Sequence, residues 1–293
     1  MRIARQSPDR LLAIVGPTAS GKTSLAVGLA EAIGGEVVSA DSVQVYRAFD
    51  VGSGKPTPAE TARARHHLVG TLDPLEPMDA AAWATLADAA VTDIRARGRV
   101  PIVCGGTFLW VKALLFGLAG APPADAATRA SHRAIAERDG RPALHARLRA
   151  IDPASADRLH PNDLVRVSRA LEVHELTGKT MSALQGEHGF LRARHDAVLL
   201  GLASEPATLT ARITDRARAW LAEGWVDEVR ALLDAGYADA RAMASVGYAQ
   251  VRDALEGRLP LDDLEGAIVR ATRVFARRQR TWLNHVDVAW LPR

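Results

Sequence analysis

The sequence is poor in cysteine, in aromatic residues and in long apolar runs. Its one cysteine, Cys104, lies in the apolar run Val100–Cys104, a pattern that indicates a buried strand residue and not a nucleophile. One cysteine leaves no internal disulfide and no thiolate zinc finger, which is typical of the cytoplasm. The segment Met1–Gln6 lacks the apolar core of a signal peptide, and no stretch is long enough to span a membrane. We therefore expect a cytoplasmic protein with no membrane partner.

Charge and size set broader limits. The 293 residues carry a formal net charge of +3, a mild excess that permits a nucleic-acid partner without demonstrating one. Hydrophobic residues make up 48% of the chain and charged residues 24%, as in ordinary soluble globular proteins. A chain of this length can bury a large core, so we expect one main domain with an insertion or a second lobe.

A glycine-rich segment between an apolar run and a helical pattern is the strongest local signal. It fits the phosphate-binding loop G-x-x-x-x-G-K-[ST], follows Leu11–Val15 and precedes Ser24–Ile33. Backbone amides and the helix dipole at such a loop bind anions, Lys22 would neutralise outer phosphates, and Thr23 would face Mg²⁺. The alternative is a glycine-rich turn. The loop predicts a polyphosphate ligand but does not specify a nucleotide. Its residues are Gly16, Pro17, Thr18, Ala19, Ser20, Gly21, Lys22 and Thr23.

Short apolar runs alternate with helical patterns along most of the chain. This alternation predicts an α/β fold of the P-loop type, a doubly wound parallel sheet with helices on both faces. Between residues 122 and 194 the strand signal disappears, which predicts a helical insertion between a core of residues 1–121 and 195–293. The predicted strands are Leu11–Val15, Glu36–Ser39, Val100–Cys104 and Ala197–Leu202.

Chemistry-bearing residues follow the ends of three predicted strands, which should meet at one crevice. Asp41 could bind Mg²⁺ or act as a general base, or it could simply cap the next segment. Gly105–Thr107 suits an anion, or is a tight strand-to-helix turn. Arg212 and Arg216 share a helix face, where one could clamp a leaving group, or both could be solvated.

A basic helix with interspersed aromatic residues is predicted near the end of the chain, over Arg273–Trp282. Arginines with aromatic neighbours suit contact with a phosphate backbone and stacking on bases. The alternative is a solvated basic helix whose Phe275 and Trp282 pack in the core.

Taken together, these segments resemble the tRNA dimethylallyltransferase family, also called tRNA isopentenyltransferases. The phosphate loop matches residue for residue, and the coverage runs from Leu12 to about Trp282. The chain looks like the short bacterial type without a zinc finger. It departs from the family at Trp110, Trp220 and Asn284, where Tyr, Met and Arg are common. The other matching segments are Ser39–Arg47, Gly105–Thr107, Asp152-Pro153, Asn162-Asp163 with Arg166, Arg169–Val173, Gly247-Tyr248, and Arg278-Gln279 with Thr281-Trp282.

The resemblance implies alkyl transfer: dimethylallyl diphosphate would donate its five-carbon group to N6 of adenosine 37, next to the anticodon of tRNA. Asp41 would accept the amine proton, while Lys22, Thr107 and Arg216 would stabilise the departing diphosphate with Mg²⁺ near Thr23. The helical insertion would hold the anticodon stem of tRNA, and the enzyme would be a monomer. The residues implied to bind tRNA are Asp41, Ser42, Val43, Gln44, Thr107, Arg129, Asn162, Asp163, Arg166, Gly247, Tyr248, Arg277, Arg278, Gln279 and Trp282.

Three other functions are compatible with parts of the sequence. An ATP-binding small-molecule kinase would use the same loop, and a mobile arginine-rich lid would distinguish it. An adenylate isopentenyltransferase would share the loop but should lack the basic helix Arg277–Trp282. A phosphate-loop protein that only binds RNA would not need Asp41 and Thr107 at strand ends.

Overall fold

The computed structural model describes residues 10–190, 192–283 and 286–291. The chain forms two compact units, one of Met1–Leu115 with Arg194–Arg293 and the other of Phe116–Ala193. The second unit begins at Phe116, whereas the sequence placed the insertion at residues 122–194. Asn284, one of the departures from the family pattern, lies outside the described residues.

The first unit is built on one parallel sheet, as predicted. Over the described residues the sheet has six strands in the order β3-β2-β4-β1-β5-β6, and every neighbouring pair is parallel. The two edge strands, β3 and β6, were not predicted, because segments of two and three residues carry no readable periodicity. The strands are β1 (Leu11–Val15), β2 (Gly35–Ser39), β3 (His66–His67), β4 (Val100–Gly105), β5 (Ala197–Leu202) and β6 (Ala289–Leu291).

Helices connect the strands and make up the second unit. The predicted basic helix Arg273–Trp282 lies within a longer helix, Leu264–Leu283, which follows a 3₁₀ turn at Leu261–Asp263; another 3₁₀ turn covers Arg241–Ala244. Helices α5 to α9 lie within the second unit. In the described part of the chain the α-helices are α1 (Lys22–Ile33), α2 (Pro58–Arg63), α3 (Ala80–Ala96), α4 (Phe108–Phe116), α5 (Ala126–Asp139), α6 (Arg141–Ile151), α7 (Pro153–Arg158), α8 (Leu164–Thr177), α9 (Met181–His188), α10 (Pro206–Ala222), α11 (Trp225–Asp234), α12 (Tyr248–Leu255) and α13 (Leu264–Leu283).

The central strands β1 and β4 are continuous apolar runs in the sequence because they are buried on both faces of the sheet. All five residues of β2 are buried, as expected for a parallel strand that is covered on both faces. Helix α1 packs its buried face against the sheet, where Val27 joins a core cluster with Val37 and Ile102. Gly34 ends this helix in the left-handed conformation, with φ at 67°, so that the chain turns directly into β2.

The second unit has a core of its own. Leu144 and Leu148 of α6 pack with Val167 and Leu171 of α8. Their spacings of four residues place each pair on one helix face, which is the pattern of helices that share a core. None of the helices in the described ranges is long and apolar enough to cross a membrane.

Candidate active site

The loops after β2 and β4 are bonded to each other at the carboxyl edge of the sheet. The Ser42 amide donates to the Thr107 hydroxyl over 3.1 Å, and the Thr107 amide donates to the Ala40 carbonyl over 3.1 Å. A Cβ at Gly105 would overlap the backbone of Ala40, so the close approach of the two loops requires glycine there. The strand ends that the sequence predicted to share a crevice therefore lie in direct contact.

The phosphate loop lies beside them, after β1. Its Gly21 has φ at 89° and precedes α1 with no side-chain cap, which leaves the first helical amides available for an anion. Lys22 donates to the Pro17 carbonyl over 2.8 Å. Burial, with a contribution from the charge of Arg216, lowers the pKa of Lys22 to about 8. Ser20 is fully buried and its hydroxyl has no partner among the described residues.

Arg216 on α10 reaches the same loop. Its guanidinium donates to the Thr18 hydroxyl over 2.7 Å and lies 4.5 Å from the centre of the Trp220 ring. Burial lowers the pKa of Arg216 to about 10, so the group keeps its charge at neutral pH. A cation stacked on an aromatic ring and hydrogen-bonded at one end is already oriented for an anionic ligand.

Asp41 follows β2 and is held at one oxygen. Its Oδ1 accepts from the Val43 amide over 2.9 Å and from the Gln44 amide over 3.2 Å. Within the described part of the chain, Oδ2 has no hydrogen-bond partner. The carboxylate is thus fixed by its own turn and keeps one oxygen available, so the capping role is compatible with the general-base role that the sequence left open.

Two cavities meet at these residues. The loop cavity, of about 390 Å³, is lined by Lys22, Thr23 and Cys104 among others, and the helix cavity, of about 270 Å³, by Thr107 and Phe275 among others. Thr107 is not among the residues that line the loop cavity. Burial raises the pKa of Cys104 to about 11, so this residue stays a thiol at neutral pH. Both cavities are lined by Thr18, Asp41, Ser53, Gly106, Arg216 and Trp220.

Gln279 is a buried part of this framework. It is 5% exposed, its Oε1 accepts from the Thr18 amide over 2.8 Å, and its Nε2 donates to the Gly106 carbonyl over 3.0 Å. A Cβ at Gly106 would overlap the Gln279 amide. The resemblance placed Gln279 among the tRNA-binding residues; its carboxamide bonds two loops and its side chain also lines the helix cavity, so a contact with tRNA stays a prediction.

Two further residues expected to bind tRNA have internal partners. Gln44 donates to the carbonyls of Ser53 and Gly54 and accepts from the Ser39 hydroxyl. Tyr248 is completely buried, so its side chain offers no surface to RNA. The neighbouring Gly247 has φ at 95° and begins α12 against the ring of Trp225.

The exposed face of α13 agrees with the basic helix predicted from the sequence. Phe275 is 39% and Trp282 44% exposed, so neither is the core residue that the alternative required. Lys112 lies 5.6 Å from the centre of the Trp282 ring. Arg277 and Arg278 are exposed and have no carboxylate partner among the described residues.

In the helical unit, three of the four expected tRNA contacts are tied to other side chains. Arg129 pairs with Glu172 over 2.9 and 3.0 Å, and Glu172 is fully buried. Asp163 caps α8 and binds the side chain of Arg166. Asn162 and Arg166 are exposed, and of the four expected contacts the Asn162 side chain alone has no side-chain partner among the described residues.

Trp110, the departure after Gly105–Thr107, is 4% exposed and stacks on Trp83, with ring centres 5.2 Å apart. It therefore packs in the core behind the site, and its contribution is to hold α3 and α4. The Trp83 indole in turn donates to the Ser39 carbonyl over 3.1 Å.

The protein side chains at this site could bind Mg²⁺ only if a phosphate ligand supplied further oxygen atoms. The described residues hold no group of three or more His, Cys, Asp or Glu side chains suited to a metal. Thr23 and Asp41 nevertheless line the loop cavity, and Mg²⁺ is ordinarily bound through one or two protein oxygens, phosphates and water.

Trp220 and Glu228, one lining the site and the other bonded to a loop that lines it, were not predicted as functional residues. Trp220 lines both cavities, and Glu228 accepts three backbone amides of residues 50–52. The local sequence feature beside them is the pair Gly52 and Gly54: a Cβ at Gly54 would overlap the Trp220 ring, and one at Gly52 would overlap the ring of Trp225, on the same helix as Glu228. Taken together, the site can hold a diphosphate against a loop, a lysine and an arginine, with a carboxylate at the junction.

Comparisons with known proteins agree on one family. The family model described as IPP transferase matches residues 44–286, and the one described as Isopentenyl transferase matches residues 9–71. A tRNA dimethylallyltransferase from Sorangium cellulosum (strain So ce56) is 66% identical over 289 residues, covering 99% of this chain and 92% of that protein.

Solved structures give the same result. The tRNA isopentenylpyrophosphate transferase from Bacillus halodurans matches with a TM-score of 0.72 and 37% identity, covering 97% of this chain and 90% of that one. A eukaryotic dimethylallyltransferase acting on tRNA matches with a TM-score of 0.80 and 26% identity, covering 97% of this chain and 74% of that one.

Proposed function

This chain belongs to the IPP transferase family, and we propose that its two cavities bring dimethylallyl diphosphate and a tRNA adenosine together at Asp41. The reaction is alkyl transfer: a dimethylallyl group moves from dimethylallyl diphosphate to N6 of adenosine 37, next to the anticodon, giving N6-dimethylallyladenosine and diphosphate. The allylic C–O bond breaks, the N6–C bond forms, and the N6 proton passes to a base.

The loop cavity is proposed to hold the donor. As the C–O bond weakens, negative charge gathers on the diphosphate, and stabilising this charge is the main electrostatic task. The phosphate-loop amides, Lys22 and Arg216 surround the place where the charge would develop. Mg²⁺, bound near Thr23 through diphosphate oxygens, would supply further positive charge there.

The helix cavity is proposed to receive the adenine. Its lining by Ser42, Val43 and Phe275 offers backbone, apolar and aromatic surface to a flipped base, and single-stranded loops allow a base to leave its stack at modest cost. The open Oδ2 of Asp41 would bind the exocyclic amine and accept its proton. Thr107, which bonds Ser42 and lines this cavity, is better placed beside the adenine than on the diphosphate.

RNA outside the reacting base is proposed to contact two exposed surfaces. The surface on the first unit consists of three exposed side chains of α13, Arg277, Arg278 and Trp282. The surface on the helical unit includes Asn162 and Arg166, and this unit would hold the anticodon stem. Arg277 and Arg278, which have no carboxylate partner among the described residues, suit phosphodiester groups, whereas Arg166 would have to exchange its pair with Asp163 for a phosphate. We further propose that the protein acts in the cytoplasm as a monomer.

The observation that carries this proposal is the shared lining of the two cavities, because Asp41 and Arg216 belong to both. Purified protein should be incubated with tRNA and either dimethylallyl diphosphate or ATP, each with Mg²⁺. We expect mass spectrometry of the digested tRNA to show a five-carbon addition on adenosine with the prenyl donor alone. Consumption of ATP with phosphorylation of an acceptor, and no prenylated adenosine, would favour a kinase that binds ATP at this loop.

A further inference from the structure

The carboxylate of Glu228 on α11 accepts four hydrogen bonds. Its Oε2 accepts from the amides of Asp50 and Val51, over 3.0 and 2.6 Å. Its Oε1 accepts from the Gly52 amide over 3.3 Å and from the Tyr248 hydroxyl over 2.6 Å. Three consecutive backbone donors that converge on one carboxylate fix the start of the segment Asp50–Gly54, named here the wall loop.

The wall loop forms part of both cavities. Gly52 lines the helix cavity, Gly54 lines the loop cavity, and Ser53 lines both. The ring of Trp225 lies so close to Gly52 that a Cβ there would overlap it. The loop is therefore bonded to Glu228 and packed on a tryptophan, and its position sets the width of the passage where the cavities join.

The wall loop also holds Gln44. The Gln44 amide donates to the Ser53 carbonyl over 3.2 Å and to the Gly54 carbonyl over 2.8 Å. The backbone amide of Gln44 donates to Asp41. A connected series of hydrogen bonds thus leads from Glu228 through the wall loop and Gln44 to the carboxylate at the junction of the cavities.

We propose that Glu228 and Tyr248 are positioning residues for the transfer reaction, which act by holding the wall loop and, through it, Gln44 and Asp41. This rests on the proposed function. Neither side chain lines the loop cavity or the helix cavity, so neither touches a substrate placed there.

The arrangement requires a carboxylate. Both oxygens of Glu228 face only donors, so a glutamine would point its NH₂ group at N–H or O–H groups in either orientation. Burial, reinforced by the neighbouring carboxylate, raises the pKa of Tyr248 above its ordinary value, so its hydroxyl remains a donor. Tyr248→Phe removes one of the four donors, whereas Glu228→Gln disturbs at least two of them.

The test compares Glu228→Gln and Tyr248→Phe with two controls. Glu223→Gln removes the same charge from an exposed position, and Tyr237→Phe removes a hydroxyl that has no partner in the described residues. All are assayed in single turnover with saturating tRNA and dimethylallyl diphosphate, well below each variant's unfolding temperature. We expect Glu228→Gln to lower the rate constant by about tenfold or more and Tyr248→Phe by about threefold, with both dissociation constants within about twofold of the original.

Two measurements separate positioning from a general loss of structure. Hydrogen exchange should be about tenfold faster for the amides of Asp50–Gly52 in Glu228→Gln and unchanged in α3. The rate constant of the double variant Glu228→Gln, Gln44→Ala should be no lower than that of the slower single variant, because both residues act through one series of contacts.

Three results would overturn the positioning role. They are a rate constant in Glu228→Gln equal to that of the unmodified protein, unaltered hydrogen exchange in the wall loop, or losses of rate that add up in the double variant with Gln44→Ala. Failure of the proposed function is distinct. In that case the unmodified protein would form no prenylated adenosine, whereas the exchange measurement would still report whether Glu228 anchors the loop.

Discussion

Gln279 and Thr18 are joined across 261 positions of sequence by a hydrogen bond of 2.8 Å, from the Thr18 amide to the Gln279 carboxamide. The other end of the same carboxamide donates to the Gly106 carbonyl. One buried side chain of α13 therefore holds the phosphate loop and the loop after β4 at a set distance. Since α13 also carries the exposed arginines and aromatic residues, the proposed donor site and the proposed RNA surface share this helix.

Replacing Gln279 by Leu should weaken binding of dimethylallyl diphosphate. The change leaves the half-buried Thr18 amide and Gly106 carbonyl without this partner, which costs at most about 1–3 kcal/mol for each group. Local movement of the phosphate loop should reduce this energetic cost, so we expect the dissociation constant of the donor to rise by about tenfold. Isothermal titration calorimetry with the donor measures it. Arg278→Gln is the control from the adjacent exposed position, and equal donor affinity in both variants would contradict the framework role of Gln279.

Asp41→Asn should separate proton transfer from loop structure. An asparagine can still accept the amides of Val43 and Gln44 at Oδ1, so the turn is kept while the basic group is lost. We expect turnover to fall by more than about a hundredfold and the affinity for tRNA to change little. Asp41→Ala should lose as much activity and also loosen the turn. Near-normal turnover in Asp41→Asn, measured by incorporation of labelled dimethylallyl groups, would reject the base role.

Donor binding should weaken above pH 8 because of Lys22. Burial lowers the pKa of this lysine to about 8 in the free protein, so above that pH the unliganded side chain is increasingly neutral. Binding of a diphosphate requires the ammonium form, so the dissociation constant should rise by up to about tenfold per pH unit above 8. Below pH 8 the group is already protonated and adds no pH dependence.

Lys22→Arg is the control for this pH dependence, because a guanidinium stays charged throughout the range. Its donor affinity, whatever its absolute value, should not fall between pH 8 and pH 9.5. Lys22→Ala should weaken donor binding and turnover together at every pH. If the donor dissociation constant of the unmodified protein does not change above pH 8, donor binding does not depend on the protonation of Lys22.

The sequence was sufficient for most of the sheet, because buried parallel strands such as Leu11–Val15 are continuous apolar runs followed by loops. It was insufficient for His66–His67 and Ala289–Leu291, which are strands only because a neighbouring strand pairs with them. Helix positions were read to within a few residues, since amphipathic spacing is local. The limits of the helical unit were less clear, because α4 ends at the boundary without a change in composition.

The site was predictable where its residues are close in sequence. The phosphate loop and Asp41 are defined by short motifs and by the strands before them. The partners of Gln279, Tyr248 and Arg129 are not, because each depends on a contact between distant segments. A motif can therefore indicate that a residue matters without indicating whether it touches the ligand or supports its neighbours.

Neutralising Arg277 and Arg278 should flatten the salt dependence of tRNA binding. Each phosphate neutralised contributes about 0.7 to 0.9 to the slope of log affinity against log salt, so the double Gln variant should lose between one and two units of slope. Filter binding between about 50 and about 300 mM salt, a roughly sixfold range, measures it. Arg230→Gln, whose arginine is paired with Asp227, is the control. An unchanged slope would remove the two arginines from the RNA interface.

Arg129→Gln should reduce stability more than RNA affinity. Arg129 and Arg169 both bind Glu172, a fully buried carboxylate that also accepts the Asp125 amide. Burial opposes ionisation of Glu172, but these hydrogen bonds outweigh it and hold its pKa below the ordinary value. Removing one arginine leaves the buried charge partly unpaired, and we expect the free energy of unfolding to fall by about 1–3 kcal/mol.

The pH dependence of unfolding gives an independent check of this role. Because the folded pKa of Glu172 is depressed, its contribution to stability is complete above the unfolded pKa of about 4.3 and is lost as pH falls through the folded value. Arg129→Gln weakens the interactions that depress this pKa, so its denaturation midpoint should fall less between pH 5 and pH 3 than that of the unmodified protein. If instead the variant unfolds normally at every pH and binds tRNA about tenfold more weakly, Arg129 contacts RNA directly, and the pair with Glu172 is dispensable for the fold.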